Sequence, residues 1–293
     1  MPSERELEKL AGQLENSNDY IVLRKIKNRK GKLLDIKGVP KCGVFVDVET
    51  TGLKSEVDEI IELAMLPFSY LDSGEIIEVN EAFLSLRQPS ISIPSEITKI
   101  TGITDEMVKG KFISDSEVNM FLQHIDLVIS HNAAFDRPFL EKFNPIFINM
   151  PWSCSMTQIP WNKNGIKYKN LDYILYKIGL FYDAHRAIND CNAGLETLIF
   201  KFPDSNTSGL TYILNQNNTD SFLICVTDSP YKYNTLLKER SYRWKKNLKS
   251  WCKEIYEEEV ENEIQFLQEE IFQNRVDIPI KKIDPYIRFS DRI

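Results

Sequence analysis

The sequence predicts an α/β layer fold, a mixed sheet covered by helices on its faces, with a small α+β unit after it. Two features of the pattern carry that reading. Three β-rich runs come first and are followed by strands alternating with helices, the order of a mixed sheet with helical cover. A polar stretch at residues 203–209, rich in Asp, Ser, Asn and Thr, then separates this region from a second set of strand and helix signals. With 293 residues, 42% of them apolar and 27% charged, the chain can fill two cores and has no composition that calls for disorder.

Taken in order, residues 3–16 set Leu7, Leu10, Ala11 and Leu14 at i, i+3, i+4 and i+7, the spacing of a short amphipathic helix. Arg24, Lys25, Lys27, Arg29, Lys30 and Lys32 follow and are expected as a solvated arm packed against the main unit. Residues 43–48, 59–69 and 76–86 read as strands, with Asp72, Ser73 and Gly74 as the turn between the last two, hence an antiparallel meander of three. Helices are expected near 95–102 and 116–124, a short buried strand at 127–130, then helices at 134–143, 171–178 and 188–200. Beyond the polar stretch, 222–227 reads as a strand, 230–240 as a helix with Ser229 at its N-cap, and 242–244 with 250–255 as a hairpin. A closing helix at 257–273 places Val260, Ile264, Leu267 and Ile271 on one buried stripe under an acidic outer face. The expected division is a helical and basic arm at 1–40, a main domain at 41–203, a linker at 204–209 and a small C-terminal domain at 210–293.

No apolar run approaches the about 18 residues of a membrane span and the first residues are mostly charged, so a cytoplasmic protein with no membrane partner is expected. Five cysteines, odd in number and far apart, suggest neither a disulfide framework nor a zinc site. The formal charge of −7 counts against a nucleic-acid partner for the chain as a whole. Its distribution does not, because residues 230–255 hold eight Lys or Arg against two Glu, interleaved with Tyr231, Tyr233, Tyr242, Trp244 and Trp251. Stacking rings among basic residues suit single-stranded nucleic acid; the same rings would equally serve as the core of the small unit.

Three clusters carry chemistry. Asp47 and Glu49 flank Val48 at the end of the first strand, and alternation along a strand projects i and i+2 from one face. Burying two carboxylates without a partner would cost several kcal/mol, about the penalty for an unpaired buried ion, so a positive group is required there. In His131-Asn132-Ala133-Ala134-Phe135-Asp136 the acid falls in the first turn of a helix that follows a strand, a placement that also suits the helix dipole. In His185-Arg186-Ala187-Ile188-Asn189-Asp190, five steps along a helix rotate by about 140°, so His185 is expected on the loop before the helix and Asp190 inside it.

In this order and spacing the three clusters closely resemble the DEDDh exonucleases of the ribonuclease H-like superfold, a group that includes proofreading subunits of bacterial replicative polymerases. The segments Val48-Glu49-Thr50-Thr51-Gly52-Leu53 and Ile100-Thr101-Gly102-Ile103-Thr104 add to the likeness, and the arm and the Tyr242-Arg243-Trp244 region are similar to those of stand-alone bacterial members. The resemblance implies a mixed five-stranded sheet flanked by helices and a 3′–5′ exonuclease that releases nucleoside monophosphates from single-stranded DNA 3′ ends in repair or proofreading. It implies two divalent ions, Mg²⁺ or Mn²⁺, held by Asp47, Glu49, Asp136 and Asp190, a ligand set whose hard oxygens and total charge suit such cations. His185 would then act as general base, with Glu49 helping to orient the attacking water.

By the same resemblance Thr50, Thr51, Gly52 and Leu53 would meet the terminal nucleotide, with Leu53 wedged against its base, while His131, Asn132 and Phe135 would line the pocket. An ordinary strand-ending turn and a core phenylalanine are the plain alternatives. Arg243 and Trp244 are candidates for contacts along the strand, and a polymerase or repair-complex partner fits the likeness. Two other readings stay open: trimming of RNA, which the same chemistry permits, and an inactive module that binds nucleic-acid ends.

Overall fold

The computed structural model describes residues 2–17, 19–227, 229–245, 248–273 and 277–292. Helix α1 (Glu4–Glu15) opens with a capping box in which Ser3 and Glu6 satisfy each other's backbone N–H groups. The helix forms as expected, but its stripe does not pack: Leu7, Leu10 and Leu14 are all exposed. The arm is fastened by charge instead. Arg24 pairs with Glu8 and Glu15, and Lys27 with Glu4, while Lys25, Arg29 and Lys30 reach Asp183, Glu196 and Glu81 of the main unit. Two short strands, β1 (Arg24–Lys25) and β2 (Gly31–Lys32), continue the arm.

The sheet is built on β3 (Lys41–Thr50) and β4 (Ile60–Tyr70), an antiparallel pair in which Glu49 stands directly opposite Glu62. The run expected as one third strand is two, β5 (Ile76–Val79) and β6 (Phe83–Leu86), both antiparallel to β4. Pro67 of β4 explains the break. Its carbonyl accepts from the Asn80 N–H at 2.9 Å, but proline has no N–H to return, so the ladder lapses between the two strands. Helices α2 (Ser95–Thr101), α3 (Asp105–Val108) and α4 (Asp115–Leu122) follow. β7 (Leu127–Ser130) lies parallel to β3, and α5 (Ala133–Phe143) leads to β8 (Trp152–Cys154), parallel to β7. Three residues were too few to announce β8 in the sequence.

Then come α6 (Ser155–Gln158), α7 (Leu171–Lys177), β9 (Leu180–Phe181), which takes β1 as a parallel partner, α8 (Ala187–Ile199) and α9 (Gly209–Asn217). The order β2-β5-β4-β3-β7-β8, with β6 beside β4, is the expected ribonuclease H-like mixed sheet with its third strand divided and a short strand added at the edge. Alternation along β3 serves two cores. Val44, Val46 and Val48 face Phe139 and Leu140 of α5, and Phe45 faces Cys191, Leu195 and Leu198 of α8. Gly194 lets α8 lie flush on β3, since a Cβ there would come within 2.0 Å of the Phe45 ring. The chain does not leave this core at 204–209: Leu210 and Ile213 of α9 are fully buried in it, so the crossing to the second sheet comes after Asn217.

The second sheet has the order β11-β12-β10-β13, all antiparallel. It comprises β10 (Ser221–Val226), then helix α10 (Asn234–Glu239), β11 (Arg243–Lys245), β12 (Ser250–Tyr256), helix α11 (Glu257–Phe266) and β13 (Ile280–Ile283). The expected 230–240 helix is a 3₁₀ turn, Tyr231–Tyr233, running into α10, and Pro230 precedes it without a side-chain cap, so Ser229 is not the N-cap. The hairpin is present, with its tip at Lys246 and Asn247 outside the described residues. Val260, Ile264, Leu267 and Ile271 do join one core, although the closing helix widens to a π turn at Leu267–Phe272. After β13 the chain returns to the main unit. The Trp152 N–H donates to the Pro285 carbonyl at 2.8 Å, and the buried Arg137 of α5 donates to the carbonyls of Pro285, Tyr286 and Arg288.

Candidate active site

Strand β3 ends in Asp47 and Glu49, side by side on one face as period-two alternation requires. Helix α8 brings Asp190 onto the same spot. One carboxylate oxygen from each of Asp47, Glu49 and Asp190 lies within 4.8 Å of the others. Asp136, in the first turn of α5 where the sequence placed it, is buried next to this trio and lies outside the 4.8 Å set. The four carboxylates named from the sequence thus come together from β3, α5 and α8.

Their electrostatics describe a site short of positive charge. Burial raises the Asp47 carboxyl well above its ordinary value, and the fields of Asp136, Asp190, Glu49 and Glu62 add to it. Burial and the same neighbours push Glu49 up to about 8, with Arg186 pulling weakly the other way. Asp136 rises to about 7 through burial, partly offset by Ser130 and the Val48 N–H beside it, and Asp190 is raised by burial too. The Ser130 hydroxyl lies beside Asp136 without reaching hydrogen-bond geometry to any partner. Oxygen-only ligands, mutual repulsion and this orphaned hydroxyl fit a hard divalent cation, which the trio is able to chelate.

Helix α8 is aimed by two contacts that the sequence did not announce. Glu62, fully buried on β4, accepts from Arg186 and from the Ala187 N–H at 2.9 Å, so a carboxylate sits at the start of α8. Tyr182 donates its hydroxyl to Asp190 Oδ1 at 2.8 Å, and the His185 N–H donates to Asp190 Oδ2 at 2.9 Å. A tyrosine three residues before His185 was the available signal for the first bond. Glu62 stood in an apolar strand run, where only the register against Glu49 reveals its place.

His185 lies on the loop before α8, exposed, with a left-handed backbone at φ 65. Few non-glycine residues adopt this conformation, and such strain concentrates at functional sites. The side chain is exposed while the main-chain N–H holds Asp190.

The expected nucleotide-facing residues divide. Leu53 is 82% exposed and Asn132 is exposed at φ 84 with no side-chain cap bond, so both can meet a ligand. Thr50 donates to the Gly52 carbonyl at 2.6 Å, and Thr51 accepts from the Glu59 N–H at 3.0 Å, which shapes the turn. At Gly52 a Cβ would come within 2.5 Å of the Asp58 carboxylate, which is itself bonded to the Lys54 N–H.

His131 is partly buried, with both ring nitrogens held by the protein. Its Nε2 faces the Lys169 carbonyl at 2.8 Å and must carry the proton, leaving Nδ1 to accept from Ser155 at 2.8 Å, and burial lowers its pKa to about 4. Phe135 packs at the edge of the core against Phe139, ring centroids 5.1 Å apart. In the small unit Tyr242 and Trp251 are core, while Arg243, Trp244 and Tyr231 remain exposed.

A mixed sheet that presents clustered carboxylates at the end of its central strand, with a helix supplying another, defines a nuclease-type catalytic domain with a divalent-metal site. Residues 44–198 match the exonuclease family RNase_T, and the chain belongs to that family. The matched segment contains Asp47, Glu49, Asp136, His185 and Asp190, in keeping with the DEDDh resemblance.

Among individual proteins, the chain is 30% identical over 171 residues to the DNA polymerase III PolC-type of Clostridium perfringens, covering 54% of this chain and 11% of that protein. It is 25% identical over 238 residues to the one from Thermotoga maritima, covering 79% and 17%. The chain therefore spans a small fraction of the length of these relatives. A solved structure described as exonuclease X in complex with 5′ overhanging duplex DNA aligns at 27% identity over 58% of this chain and 99% of that one, with a TM-score of 0.40. No helix among the described residues is long and apolar enough to cross a membrane.

Proposed function

We propose that this protein is a divalent-metal-dependent 3′–5′ exonuclease that releases nucleoside monophosphates from single-stranded DNA 3′ ends in repair or proofreading. The observation that carries the reading is the convergence of Asp47, Glu49 and Asp190 within 4.8 Å beside buried Asp136, a cluster whose neighbouring cation Arg186 is already paired with Glu62. Two Mg²⁺ or Mn²⁺ ions held by these four carboxylates would lower the pKa of a bound water and offset the charge that builds on the phosphate.

The residues of the chain do the rest. His185, exposed at the mouth of the cluster, takes the proton of the attacking water on its imidazole, and Glu49 orients that water. Leu53 and Asn132 meet the terminal nucleotide, while Thr50 and Thr51 hold the turn that presents Leu53. Arg243 and Trp244 on the exposed edge strand β11 contact the strand further along. The likeness to PolC-type polymerases supports DNA as substrate and a replication or repair setting.

The test is nucleotide release from 3′-labelled and 5′-labelled single-stranded DNA and from matched RNA, with Mg²⁺ or Mn²⁺. Immediate release of the 3′ label, progressive shortening of the 5′-labelled strand, and loss of both with EDTA or in Asp47→Ala support the reading. Wild-type protein that binds DNA and releases nothing with either metal overturns it in favour of an end-binding module, and faster loss of RNA reassigns the substrate.

A further inference from the structure

Basic residues cluster in the N-terminal arm, in the small unit and around α7, and these places differ in what is left for a ligand. In the N-terminal arm Arg24, Lys25, Lys27, Arg29, Lys30 and Lys32 are all engaged in ion pairs within the protein. In the small unit two of the rings, Tyr242 and Trp251, are buried, and Arg240 and Lys253 share Glu263. The third place is the segment from residue 163 into α7. Lys163, Lys167, Lys169 and Lys177 take part in no ion pair among the described residues, and Asp172 is the segment's one acid through Lys177.

Its rings form a connected row. Tyr168, 55% exposed, stands edge-on to Tyr173 with centroids 5.1 Å apart, and Tyr173 meets the exposed Tyr176 at 6.3 Å. Lys167 lies over the Tyr168 ring at 5.5 Å, and Lys177 lies over Tyr173 and Tyr176 at 5.5 and 5.8 Å. Tyr173 packs inward against the main core, which leaves Tyr168 as a supported ring with an accessible face.

Two contacts place this row at the rim of the carboxylate cluster. The Lys169 carbonyl receives the bond from His131, at the head of the loop that leads into Asp136. The buried face of α7, Leu171 and Leu175, packs on Ala193 of the helix that carries Asp190.

We propose that this face, with Tyr168 as a stacking platform and Lys167 beside it as a phosphate contact, carries the single strand that trails the 3′-terminal nucleotide. The partner is single-stranded nucleic acid, read through base faces and backbone charge and therefore with little sequence preference. The inference rests on the exonuclease reading for its direction but not for the binding it asserts.

The experiment compares the full-length wild type with Tyr168→Ala and Lys167→Glu on three readouts. These are KM for dodecathymidylate, hydrolysis of the p-nitrophenyl ester of thymidine 5′-phosphate, which has no trailing strand, and binding of fluorescent dodecathymidylate by anisotropy with Ca²⁺ in place of the active metal. The expected result is a rise in KM and Kd for the long strand of about tenfold, the scale of one lost stacking contact, with ester hydrolysis unchanged. A matched oligouridylate arm tells RNA from DNA as the strand preferred. Long-strand KM and Kd within twofold of wild type in both variants overturn the proposal. So does an equal loss on the ester, which would mean that the substitutions disturb the site itself. If the wild type hydrolyses neither substrate, the exonuclease reading fails, and the anisotropy comparison still decides whether this face binds the strand.

Discussion

Arg186 grips Glu62 with Nη2 at 2.7 Å from Oε1 and Nε at 3.2 Å from each carboxylate oxygen, joining the loop of His185 to the strand opposite Glu49. Glu62 is fully buried and Arg186 partly exposed, so the pair holds a carboxylate inside a cluster that already repels it. Replacing Arg186 by Met strands the Glu62 charge. We predict a loss of roughly 2–3 kcal/mol, below the range for a wholly buried pair because the arginine is partly in water. Chemical denaturation of Arg186→Met, Glu62→Gln and the double variant measures it. The double variant is expected to be more stable than Arg186→Met alone, since it removes the stranded charge.

His185 contributes a main-chain N–H to Asp190 and a side chain to solvent, and these are separable. His185→Ala keeps the N–H, so Mn²⁺ affinity is expected to match wild type while kcat falls by at least about a hundredfold, the lower end for loss of a general base. Titration of the metal alongside steady-state rates distinguishes the two. A parallel loss of metal affinity would show that the side chain also shapes the site.

His131 is partly buried with both ring nitrogens engaged, and desolvation of the ring lowers its pKa to about 4. The unfolded chain, titrating near 6.5, therefore binds more protons than the folded one between about pH 6.5 and pH 4. Stability from this group is complete above that window and is lost as pH falls through it, by roughly 3 kcal/mol. His131→Asn keeps a donor and an acceptor without the titration. The wild-type loss between about pH 7 and pH 4, minus that of the variant, should recover most of this amount.

Arg137, with no exposed surface, donates to three backbone carbonyls of the C-terminal tail and pairs with Glu141, which also holds Arg292. Arg137→Ala leaves those carbonyls unmatched and empties a space beside Trp152, at a cost of about 3–5 kcal/mol. Urea unfolding checks the magnitude. Because Arg137 holds the carbonyls of Pro285, Tyr286 and Arg288, limited proteolysis should also show the tail after Asp284 released in the variant before the main domain is cut.

The parts of the fold and site that were legible in the sequence are those set by local rules. Alternation placed Asp47 and Glu49 on one face, the strand-to-helix boundary at 130–133 placed Asp136, and helical geometry kept His185 off α8. What was not legible depends on partners distant in sequence. Glu62 gains its meaning only from its register against Glu49. The partners that fix the His131 ring, Ser155 and the Lys169 carbonyl, lie 24 and 38 residues further along the chain. The split of the third strand follows from Pro67 on its neighbour, and the stripe on α1 is helical in spacing but leaves Leu7, Leu10 and Leu14 exposed.

The most direct test of the central claim is Mn²⁺ binding to the metal-free protein, followed by electron paramagnetic resonance, with nucleotide release measured on the same samples for wild type, Asp47→Asn and Asp190→Asn. Wild type is expected to bind Mn²⁺ and digest the strand, and each variant to lose both together. Wild-type Mn²⁺ affinity in the variants, or digestion that persists in EDTA, would contradict that claim.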